Sequence, residues 1–368
     1  MYDSLTVDAR SQEGLFRVRP KNKIRRPYED SDIGGTGTIS TAITRQLLDK
    51  GGVNIVHFNR GKRETPAGVR TIVGDRRDFT AFEERMKVEG EFDCVIDMIG
   101  FQPDEAESAV RAFKGHAGHY IYCSTVDVYS KTAAYYPIDE AHPRHARPSF
   151  PYAYNKVKSE NVLMDAHGDD FPVTIFRPAQ TYGGIGFAVA SVGDGVYQMK
   201  RLRQGRPIIV HGDGTSIWTA CHRDDVAAAF VRAIGLTAAF GQSYNVTGEE
   251  WMTYDRYWLT VAEALKAPVP RIVHIPTDLL GRMLPKRAEW CVENFRYNNI
   301  FDNTAAKRDL GFRYSVKWAD GIADVVRQLD AKGLIDNAEE AVWYDRVVEE
   351  WESRSAAMAE RIRPYDYP

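Results

Sequence analysis

Two side chains four residues apart, Tyr152 and Lys156, form the clearest acid–base pattern in the chain. They stand near the start of a segment with a helical pattern, and positions i and i+4 lie on one face of a helix. A phenol has an ordinary pKa of about 10, and a neighbouring ammonium favours the phenolate. The pair is therefore predicted to exchange a proton with a substrate hydroxyl, with Tyr152 as the general acid and base.

The same spacing recurs two residues later, in Tyr154 and Lys158. We prefer the first pair because Pro151 precedes it and because Glu160 follows Lys156 after a further four residues. The two registers predict different catalytic tyrosines, so substitution of each tyrosine separates them.

A hydroxyl and a carboxylate follow the predicted strand His119–Ser124. Thr125 stands directly after this strand, at the carboxyl end of a predicted sheet, where open α/β folds bind their ligands. Its hydroxyl is expected to hydrogen-bond the substrate oxygen as that oxygen ionises. Asp127 is a candidate auxiliary acid or base in contact with substrate, and the alternative is that it caps the loop.

A glycine-rich run from Gly34 to Ser40 leads directly into a helical segment. Gly34 would allow the tight turn of a dinucleotide-binding loop, and Gly37 would let backbone N–H groups approach a pyrophosphate at the start of the helix. Thr38 and Ile39 follow at that same helix start. Ser40 takes the place of the usual third glycine and is small enough to preserve close packing of helix on sheet. The run predicts that NAD or NADP is the cofactor.

Further cofactor contacts are predicted where the following strands end. Asn59 and Arg60 stand where an NAD enzyme usually has an acid for the ribose hydroxyls, and Arg60 would instead meet the 2′-phosphate of NADP. This arrangement slightly favours NADP, and the alternative is a solvated basic loop. The remaining candidate cofactor contacts are Asp75, Arg76, Met98, Ile99 and Pro178.

Short apolar runs alternate with amphipathic stretches from residue 33 onward, which is the pattern of an α/β protein with a parallel, doubly wound sheet. The predicted strands are Val53–Phe58, Val69–Val73, Phe92–Ile99, His119–Ser124 and Val173–Phe176. The predicted helices are Thr41–Lys50, Thr80–Val88, Glu105–Phe113 and Tyr152–His167.

The pattern divides the chain into a dinucleotide-binding (Rossmann) domain, residues 33–182, and a smaller α/β substrate domain, mainly residues 183–336. A helix near 224–235 is expected to return to the Rossmann sheet. Residues 337–368 are predicted to form a C-terminal helix that packs on its own domain or, alternatively, makes a homodimer contact. Residues 1–32 are atypical, because the charges and proline of residues 25–32 suit a buried first strand poorly. That strand either pairs in an unusual way or is absent or degraded.

Composition argues against several classes of function. A net charge of -3 over 368 residues leaves no basic excess for a broad nucleic-acid surface, so nucleic acid is not an expected partner. The four cysteines show no CxxC spacing, and no metal site is expected. No stretch is apolar enough to span a bilayer, and no signal-peptide pattern opens the chain. We therefore expect a cytoplasmic protein.

These motifs together resemble the NAD-dependent epimerase/dehydratase family of extended short-chain dehydrogenases. The matching segments, in the family's order and spacing, are Gly34–Ser40, Ser124–Tyr129, Pro151–Glu160, Arg177–Gly183 and Asp309–Phe312. The resemblance implies a Rossmann domain with an interleaved substrate domain. It also implies catalysis by Thr125, Tyr152 and Lys156, with Lys156 holding the nicotinamide ribose as well.

The resemblance leaves the substrate open. Nucleotide-sugar enzymes of the family usually carry an arginine for the diphosphate before the Asp-Asp-Val-Ala motif, and Trp218 occupies that place here. Trp218 would stack on a sugar or would be a core residue of the smaller domain. Gln180 and His222 are further candidate substrate contacts. His222 and Arg60 are also similar to the chloroplast stem-loop-binding branch, whose members associate with RNA.

The sequence thus predicts an NAD(P)-dependent oxidoreductase or epimerase that acts on a secondary alcohol of a sugar-like substrate. One rival is a nucleotide-sugar 4-epimerase, and another is a non-catalytic, RNA-associated protein of the same fold. Dehydration is disfavoured, because the stretch from Thr125 to Asp127 lacks the paired acids typical of sugar 4,6-dehydratases.

Overall fold

The computed structural model describes residues 15–16, 28–33, 37–186 and 189–366, the first two stretches by their backbone alone. An eight-stranded sheet with helices on both faces dominates its first half. The elements that build this half are β1 (Leu15–Phe16), β2 (Tyr28–Ile33), α1 (Thr38–Lys50), β3 (Val53–Asn59), β4 (Val69–Val73), α2 (Phe79–Glu89), β5 (Val95–Asp97), α3 (Pro103–Phe113), β6 (Tyr120–Cys123), α4 (Pro151–Asp165) and β7 (Val173–Pro178).

The second half of the chain is richer in helices and contains three two-stranded sheets. Its elements are β8 (Gln180–Tyr182), α5 (Gly195–Arg203), β9 (Ile208–His211), β10 (Ile217–Trp218), β11 (Ala220–His222), α6 (Arg223–Ala233), β12 (Ser243–Val246), β13 (Met252–Thr253), α7 (Tyr254–Ala264), β14 (Ile272–Ile275), α8 (Thr277–Met283), a π-helical turn (Cys291–Phe295), α9 (Thr304–Leu310), α10 (Trp318–Ala331) and α11 (Val342–Ile362). No helix in the described part of the chain is both long and apolar enough to cross a membrane.

The strand order of the large sheet is β12-β7-β6-β5-β1-β2-β3-β4. All its pairings are parallel except those of β1, which runs antiparallel to β2 and β5. The chain builds the sheet outward from β2 in one direction and outward from β5 in the other. Ligands of open α/β sheets bind at such a reversal, outside the carboxyl ends of the strands, and the predicted doubly wound fold is confirmed.

The first strand, which the sequence left in doubt, is present in the centre of the sheet. Tyr28 pairs with Val53 of β3 in parallel register, and Ser31 pairs with Val95 of β5. The strand begins one position after Pro27, so the proline interrupts none of its ladder. The alternative of an absent first strand is wrong, because backbone pairing tolerates a polar sequence that propensity disfavours.

Helices from both halves of the chain pack on the large sheet. The buried face of α1 meets α6, and the Phe230 ring of α6 stacks on Phe176 of β7 at a centroid distance of 4.3 Å. Strand β12 pairs with β7 and completes that edge of the sheet. The chain therefore returns to the first domain for residues 223–246, and the two halves are joined by more than one crossing.

The smaller domain has its own aromatic core. Tyr257 of α7 and Trp318 of α10 stack at 4.4 Å with their rings 11° apart. Helix α11 closes this core with buried Tyr344 and Val348, while its half-buried tryptophans, Trp343 and Trp351, pack against the same cluster. The predicted packing of the C-terminal helix on its own domain is thus present in the structure.

Strand β5 is shorter than the predicted run Phe92–Ile99. The chain leaves the ladder after Asp97, because the Asp97 carboxylate accepts hydrogen bonds from the backbone N–H groups of Ile99 and Gly100 at 2.9 and 2.7 Å. This side-chain capped turn ends the strand at the sheet edge where ligands are expected.

Candidate active site

A cavity of about 230 Å³ lies at the carboxyl ends of β6 and β7, between the two domains. The first domain contributes Ile39, Ser124, Thr125, Asp127, Tyr152 and Pro178 to its lining. The second half of the chain contributes Gln180, Trp218, Thr219, Trp290, Asn294, Phe295 and Asn299. The cavity therefore brings together the predicted Thr125 and Tyr152 with several groups from distant elements.

Thr125 connects the candidate acid–base groups. Its hydroxyl donates to Asp127 Oδ2 at 3.0 Å and accepts the Asp127 backbone N–H at 3.2 Å, so Thr125 caps the short 3₁₀ turn that follows β6. Thr125 also lies close to Tyr152 in the cavity wall and helps to lower the pKa of that tyrosine. Burial and the nearby Asp127 carboxylate act in the opposite direction and raise the pKa of Tyr152 above its ordinary value. The protein groups alone thus favour the neutral phenol.

Lys156 is buried behind the cavity on the same helix face as Tyr152. Its ammonium donates to the carbonyls of Gly100 and Cys123 at 3.0 and 2.6 Å and lies 4.3 Å from the centroid of the Phe101 ring. Burial lowers the pKa of Lys156. An ammonium has three donors, so two are used by the ends of β5 and β6 and one is left for a further acceptor.

The alternative pair, Tyr154 and Lys158, faces away from the cavity. The Lys158 ammonium is exposed and lies over the Tyr154 ring at 4.3 Å, as a cation–π pair on the surface of α4. Neither side chain lines the cavity. Position in the fold thus favours the register of Tyr152 and Lys156.

The start of α1 lies beside the cavity. Gly37 is the N-cap, and its N–H donates to Ser40 Oγ at 2.8 Å, so the small residue at this position also caps the helix. Ile39 lines the cavity, and Thr38 lies against Gly186, where an added Cβ would approach the threonine side chain to 3.1 Å. The predicted contact at Gly34 lies outside the described residues.

The end of β3 forms a tight turn. Asn59 is buried, and its Oδ1 accepts the Gly61 N–H at 2.7 Å, so the asparagine shapes the loop that carries half-buried Arg60. Asp75 is exposed in the loop after β4, and its Oδ1 accepts the Arg77 N–H at 2.9 Å. These positions lie at the strand ends where the sequence placed them.

Arg76 has a structural role. Its buried guanidinium forms an ion pair with Asp97 at 2.9 Å and donates to the Glu105 carbonyl at 2.8 Å. The side chain therefore ties the end of β4 to β5 and α3, and the assignment of Arg76 to the cofactor stays a prediction. The neighbouring candidates Met98 and Ile99 are half-buried just beyond Asp97.

Gln180 and Trp218 meet in the cavity wall. The Trp218 indole N–H donates to Gln180 Oε1 at 2.5 Å, and Gln180 Nε2 donates to the Tyr257 hydroxyl at 2.7 Å. Trp218 is only 4% exposed and meets Phe295 edge-on at 5.0 Å. It is therefore both a core residue and part of the cavity wall.

His222 has a structural position. It is the N-cap of α6, where its Nδ1 accepts the Asp224 N–H at 3.3 Å, and its ring meets Tyr182 edge-on. His222 is not among the residues that line the cavity. Helix capping accounts for the position of His222, and its assignment to the substrate stays a prediction.

Sequence reasoning missed the π-helical turn that closes the cavity. This turn and its flanks place Trp290, Asn294 and Phe295 opposite Thr125. The Asn294 carboxamide accepts a hydrogen bond from Lys131 at 3.2 Å, and the Lys131 ammonium is 3.9 Å from Asp127. No local pattern marks these residues, because they reach the site from well over 150 positions further along the chain.

The cavity contains a phenol that can donate or accept a proton, but it has few groups that bind phosphate. Among the described residues that line it there is no arginine or lysine. The lining instead pairs aromatic walls, which suit the apolar face of a sugar ring, with carboxamides from Gln180, Asn294 and Asn299, which can donate and accept hydrogen bonds with hydroxyls. Such a wall fits an uncharged, hydroxyl-bearing ligand.

Fold and site together define a dinucleotide-dependent enzyme of the extended short-chain dehydrogenase type. A family model described as the NAD dependent epimerase/dehydratase family matches residues 33–247, and the chain belongs to this family. The resemblance drawn from the motifs is confirmed.

Similar proteins span two kinds of activity. The chloroplast stem-loop binding protein of 41 kDa b from Arabidopsis thaliana is 27% identical over 313 residues, covering 79% of this chain and 76% of that protein. A UDP-glucose 4-epimerase from Mycolicibacterium smegmatis is 33% identical over 237 residues, covering 64% and 68%. The crystal structure of UDP-glucose 4-epimerase from Bifidobacterium longum, in complex with NAD+ and UDP, matches at a TM-score of 0.65 with 20% identity, covering 82% of this chain and 97% of that one.

The residues present fit the cofactor that the family requires. The Ser124 hydroxyl is buried and makes no hydrogen bond within the described residues, although it faces the cavity. Lys156 retains a donor, and Ile39 and Pro178 supply apolar surface beside it. Lys156 and Ser124 would therefore hold the nicotinamide end of NAD, and the start of α1 would hold its pyrophosphate.

Proposed function

We propose that the protein is an oxidoreductase or epimerase that acts on a secondary alcohol of a sugar-like substrate through Thr125, Tyr152 and Lys156. The observation that carries the proposal is that Thr125 and Tyr152 line one cavity at the sheet edge, with the Lys156 ammonium buried behind it. A hydroxyl and a phenol beside the nicotinamide end of the cofactor site are what reversible oxidation of an alcohol needs.

Each residue has a separate task in this proposal. Tyr152 takes the proton from the substrate hydroxyl and returns it in the reverse direction. With substrate bound, the Thr125 hydroxyl would turn away from Asp127 and donate its hydrogen bond to the substrate oxygen. Lys156 fixes the cofactor ribose and supplies a positive charge close to the phenol. Bound NAD+ would accept the hydrogen that leaves the carbon.

The electrostatics favour a reaction in which the cofactor binds before the substrate. Burial and Asp127 keep Tyr152 neutral in the protein by itself. The positive charge of oxidised nicotinamide favours the phenolate, so the base would be active only when the cofactor is in place. Because the Asp127 carboxylate raises the pKa of Tyr152, it increases the positive charge that is needed to form the phenolate.

The substrate that this wall favours is a free sugar or a glycoside. Trp218 and Phe295 offer ring faces and edges, and Gln180 and Asn294 offer amides, whereas a diphosphate is best held by the charged fork of an arginine. This supports a neutral sugar over a nucleotide sugar.

Substitution of the two tyrosines tests the proposal. A panel of free hexoses, pentoses, glycosides and UDP-glucose is incubated with protein and NAD+ or NADP+, and reduced cofactor and epimerised sugar are measured. We expect Tyr152→Phe to lower the rate on any active sugar by about 10²–10⁴-fold with unchanged cofactor affinity. Tyr154→Phe is the matched control and should keep wild-type activity. An active Tyr152→Phe variant beside an inactive Tyr154→Phe variant would show that the second register is correct.

We also propose a preference for NADP over NAD, which rests on Arg60 in the loop shaped by Asn59. An arginine recognises a 2′-phosphate with a bidentate, charge-assisted fork. Calorimetric titration should give tighter binding of NADP+ than of NAD+, and Arg60→Ala should abolish the difference. Equal affinities in the wild-type protein contradict this preference.

An RNA-associated role is the second candidate, because a stem-loop binding protein matches over 79% of the chain. The net charge of -3 argues against a broad RNA surface. Three results together would favour this candidate over catalysis. The protein would bind stem-loop RNA at physiological salt, Tyr152→Phe would leave that affinity unchanged, and the protein would turn over no sugar.

A further inference from the structure

Arg223, the first residue of α6, reaches across to the start of α1. Its Nη1 donates to Thr41 Oγ1 at 3.5 Å, one turn into α1. On its other side lies the turn of Gly183 and Gly184, where a Cβ on Gly184 would overlap the guanidinium and a Cβ on Gly183 would approach the arginine Cγ to 2.9 Å. Both glycines have positive φ, 127° and 63°. The turn therefore holds the guanidinium between the two halves of the chain.

The positive charge of Arg223 is poorly compensated there. Its side chain is 24% exposed, its Nε makes no hydrogen bond within the described residues, and the nearest carboxylate, on Asp224, is 3.8 Å away. Asp224 is itself paired with Arg45 at 2.7 Å. Burial lowers the pKa of Arg223 and Arg45 adds to this effect, while the Asp224 and Asp324 carboxylates offset only part of it. Because α6 starts at Arg223 and α1 starts nearby, the positive ends of two helix dipoles add to the unfavourable field.

We propose that Arg223 binds the pyrophosphate of the dinucleotide cofactor at the start of α1, from the side of the second half of the chain. In this class of fold the pyrophosphate lies at the start of that helix, and Thr41 places the guanidinium within one turn of it. An anion at this position would satisfy the free Nε and would offset the repulsion from the two helix ends. The bound pyrophosphate would also connect the two helices, because Arg223 belongs to α6 and the pyrophosphate would lie at the start of α1.

Calorimetric titration with three ligands tests this assignment on the full chain. ADP-ribose carries the pyrophosphate without nicotinamide, adenosine carries neither, and NAD+ carries both. We expect Arg223→Gln to weaken NAD+ and ADP-ribose by about tenfold to a hundredfold, the range for hydrogen bonds to charged groups, and to leave adenosine unchanged. Arg223→Lys retains the charge without the fork and should give an intermediate loss.

The matched control is Arg232→Gln, the same substitution in the last turn of α6, where the arginine donates to the Gly311 carbonyl. The two arginines are about 13 Å apart along the helix, beyond the Debye length of about 8 Å at physiological ionic strength, so binding should not change.

Gly184→Ala is a second variant, because its Cβ displaces the guanidinium without altering charge, and it should weaken the binding of ADP-ribose as well. The proposal is overturned if Arg223→Gln binds ADP-ribose with wild-type affinity, or if the variant loses as much affinity for adenosine as for ADP-ribose. It is also overturned if the wild-type protein binds neither NAD+ nor ADP-ribose.

Discussion

The ionisation of Tyr152, the candidate general base, depends on Asp127, which lies two residues after Thr125 in the chain. Asp127 is buried, and burial raises its own pKa. One oxygen is held by Thr125, and the ammonium of Lys131 is 3.9 Å from the other. Its negative charge opposes ionisation of Tyr152. If Tyr152 is the base, as proposed, the pH dependence of the reaction should depend on Tyr152, Asp127 and Lys131 together.

Asp127→Asn should shift the pH profile of kcat/KM. In the proposed reaction the active form of Tyr152 is the phenolate, so activity is expected to rise with pH through the pKa of the tyrosine. Removal of the negative charge lowers that pKa, and the acidic limb should therefore move to lower pH. The asparagine oxygen can still accept the hydrogen bond from Thr125. The profile is measured with cofactor saturating, and Asp169→Asn, at an exposed position, should leave it in place. A shift to higher pH would contradict this account.

The residues that sequence could predict are those whose position follows from local pattern. Thr125 comes directly after an apolar strand, and Tyr152 with Lys156 follows a helix period, so both could be placed at the sheet edge in advance. The ion pair of Arg76 with Asp97 could not be predicted, because the two residues are 21 positions apart and no local pattern indicates the pair. Asn294 was missed because a π-helical turn has no sequence period of its own.

At the scale of elements, α11 is fixed by a buried charge. The Arg201 guanidinium of α5 is fully buried and pairs with Asp345 of α11 at 2.6 Å, while Arg206 pairs with the same carboxylate. Hydrogen bonding from Arg201 lowers the pKa of Asp345. The stabilisation is therefore present above the ordinary carboxyl pKa and is lost as the pH falls through the lowered value.

Asp345→Asn should lower the free energy of unfolding by about 2 kcal/mol, because it leaves a buried guanidinium without its counter-ion. The carboxylate is 37% exposed, which reduces the loss below that of a fully buried pair. Asp336→Asn is the control, since that carboxylate is 73% exposed and pairs with Arg203 at the surface; it should cost less than about 1 kcal/mol. Urea unfolding at pH 7 measures both, and equal losses in the two variants would disprove the special role of Asp345.

Elements were predictable where the hydrophobic period was regular. Helix α4 was expected at Tyr152–His167 and extends over Pro151–Asp165, and β4 was placed correctly at Val69–Val73. The polar strand β2 was doubted because its residues disfavour a strand, yet its two neighbours in the sheet supply the pairing. Its position is decided by tertiary structure, which propensity does not include.

At the scale of the whole molecule, the ligands are expected to stabilise the two halves together, because the cavity takes its walls from both. A ligand at 100 times its Kd adds about 2.7 kcal/mol to the stability of the state that binds it. We expect UDP and UDP-sugars to raise the melting temperature little. Free sugars or glycosides with cofactor should raise it more, since the described cavity lining has no cation for a diphosphate.

Thermal unfolding with each ligand measures this difference. Strong stabilisation by UDP alone, retained in Trp218→Ala, would mean that phosphates bind elsewhere and that a nucleotide-sugar 4-epimerase is the better description.

The late return of β12 to the sheet has a consequence for biosynthesis. Until residue 246 has left the ribosome, the outer edge of β7 has no partner, because Ser243–Val246 is the strand that pairs there. A nascent chain that ends near residue 182 carries every strand of the first domain except this one. Its exposed edge is a template for pairing with other chains. The first domain therefore cannot be released as a finished unit during translation, and a fragment cut at the apparent domain boundary should aggregate.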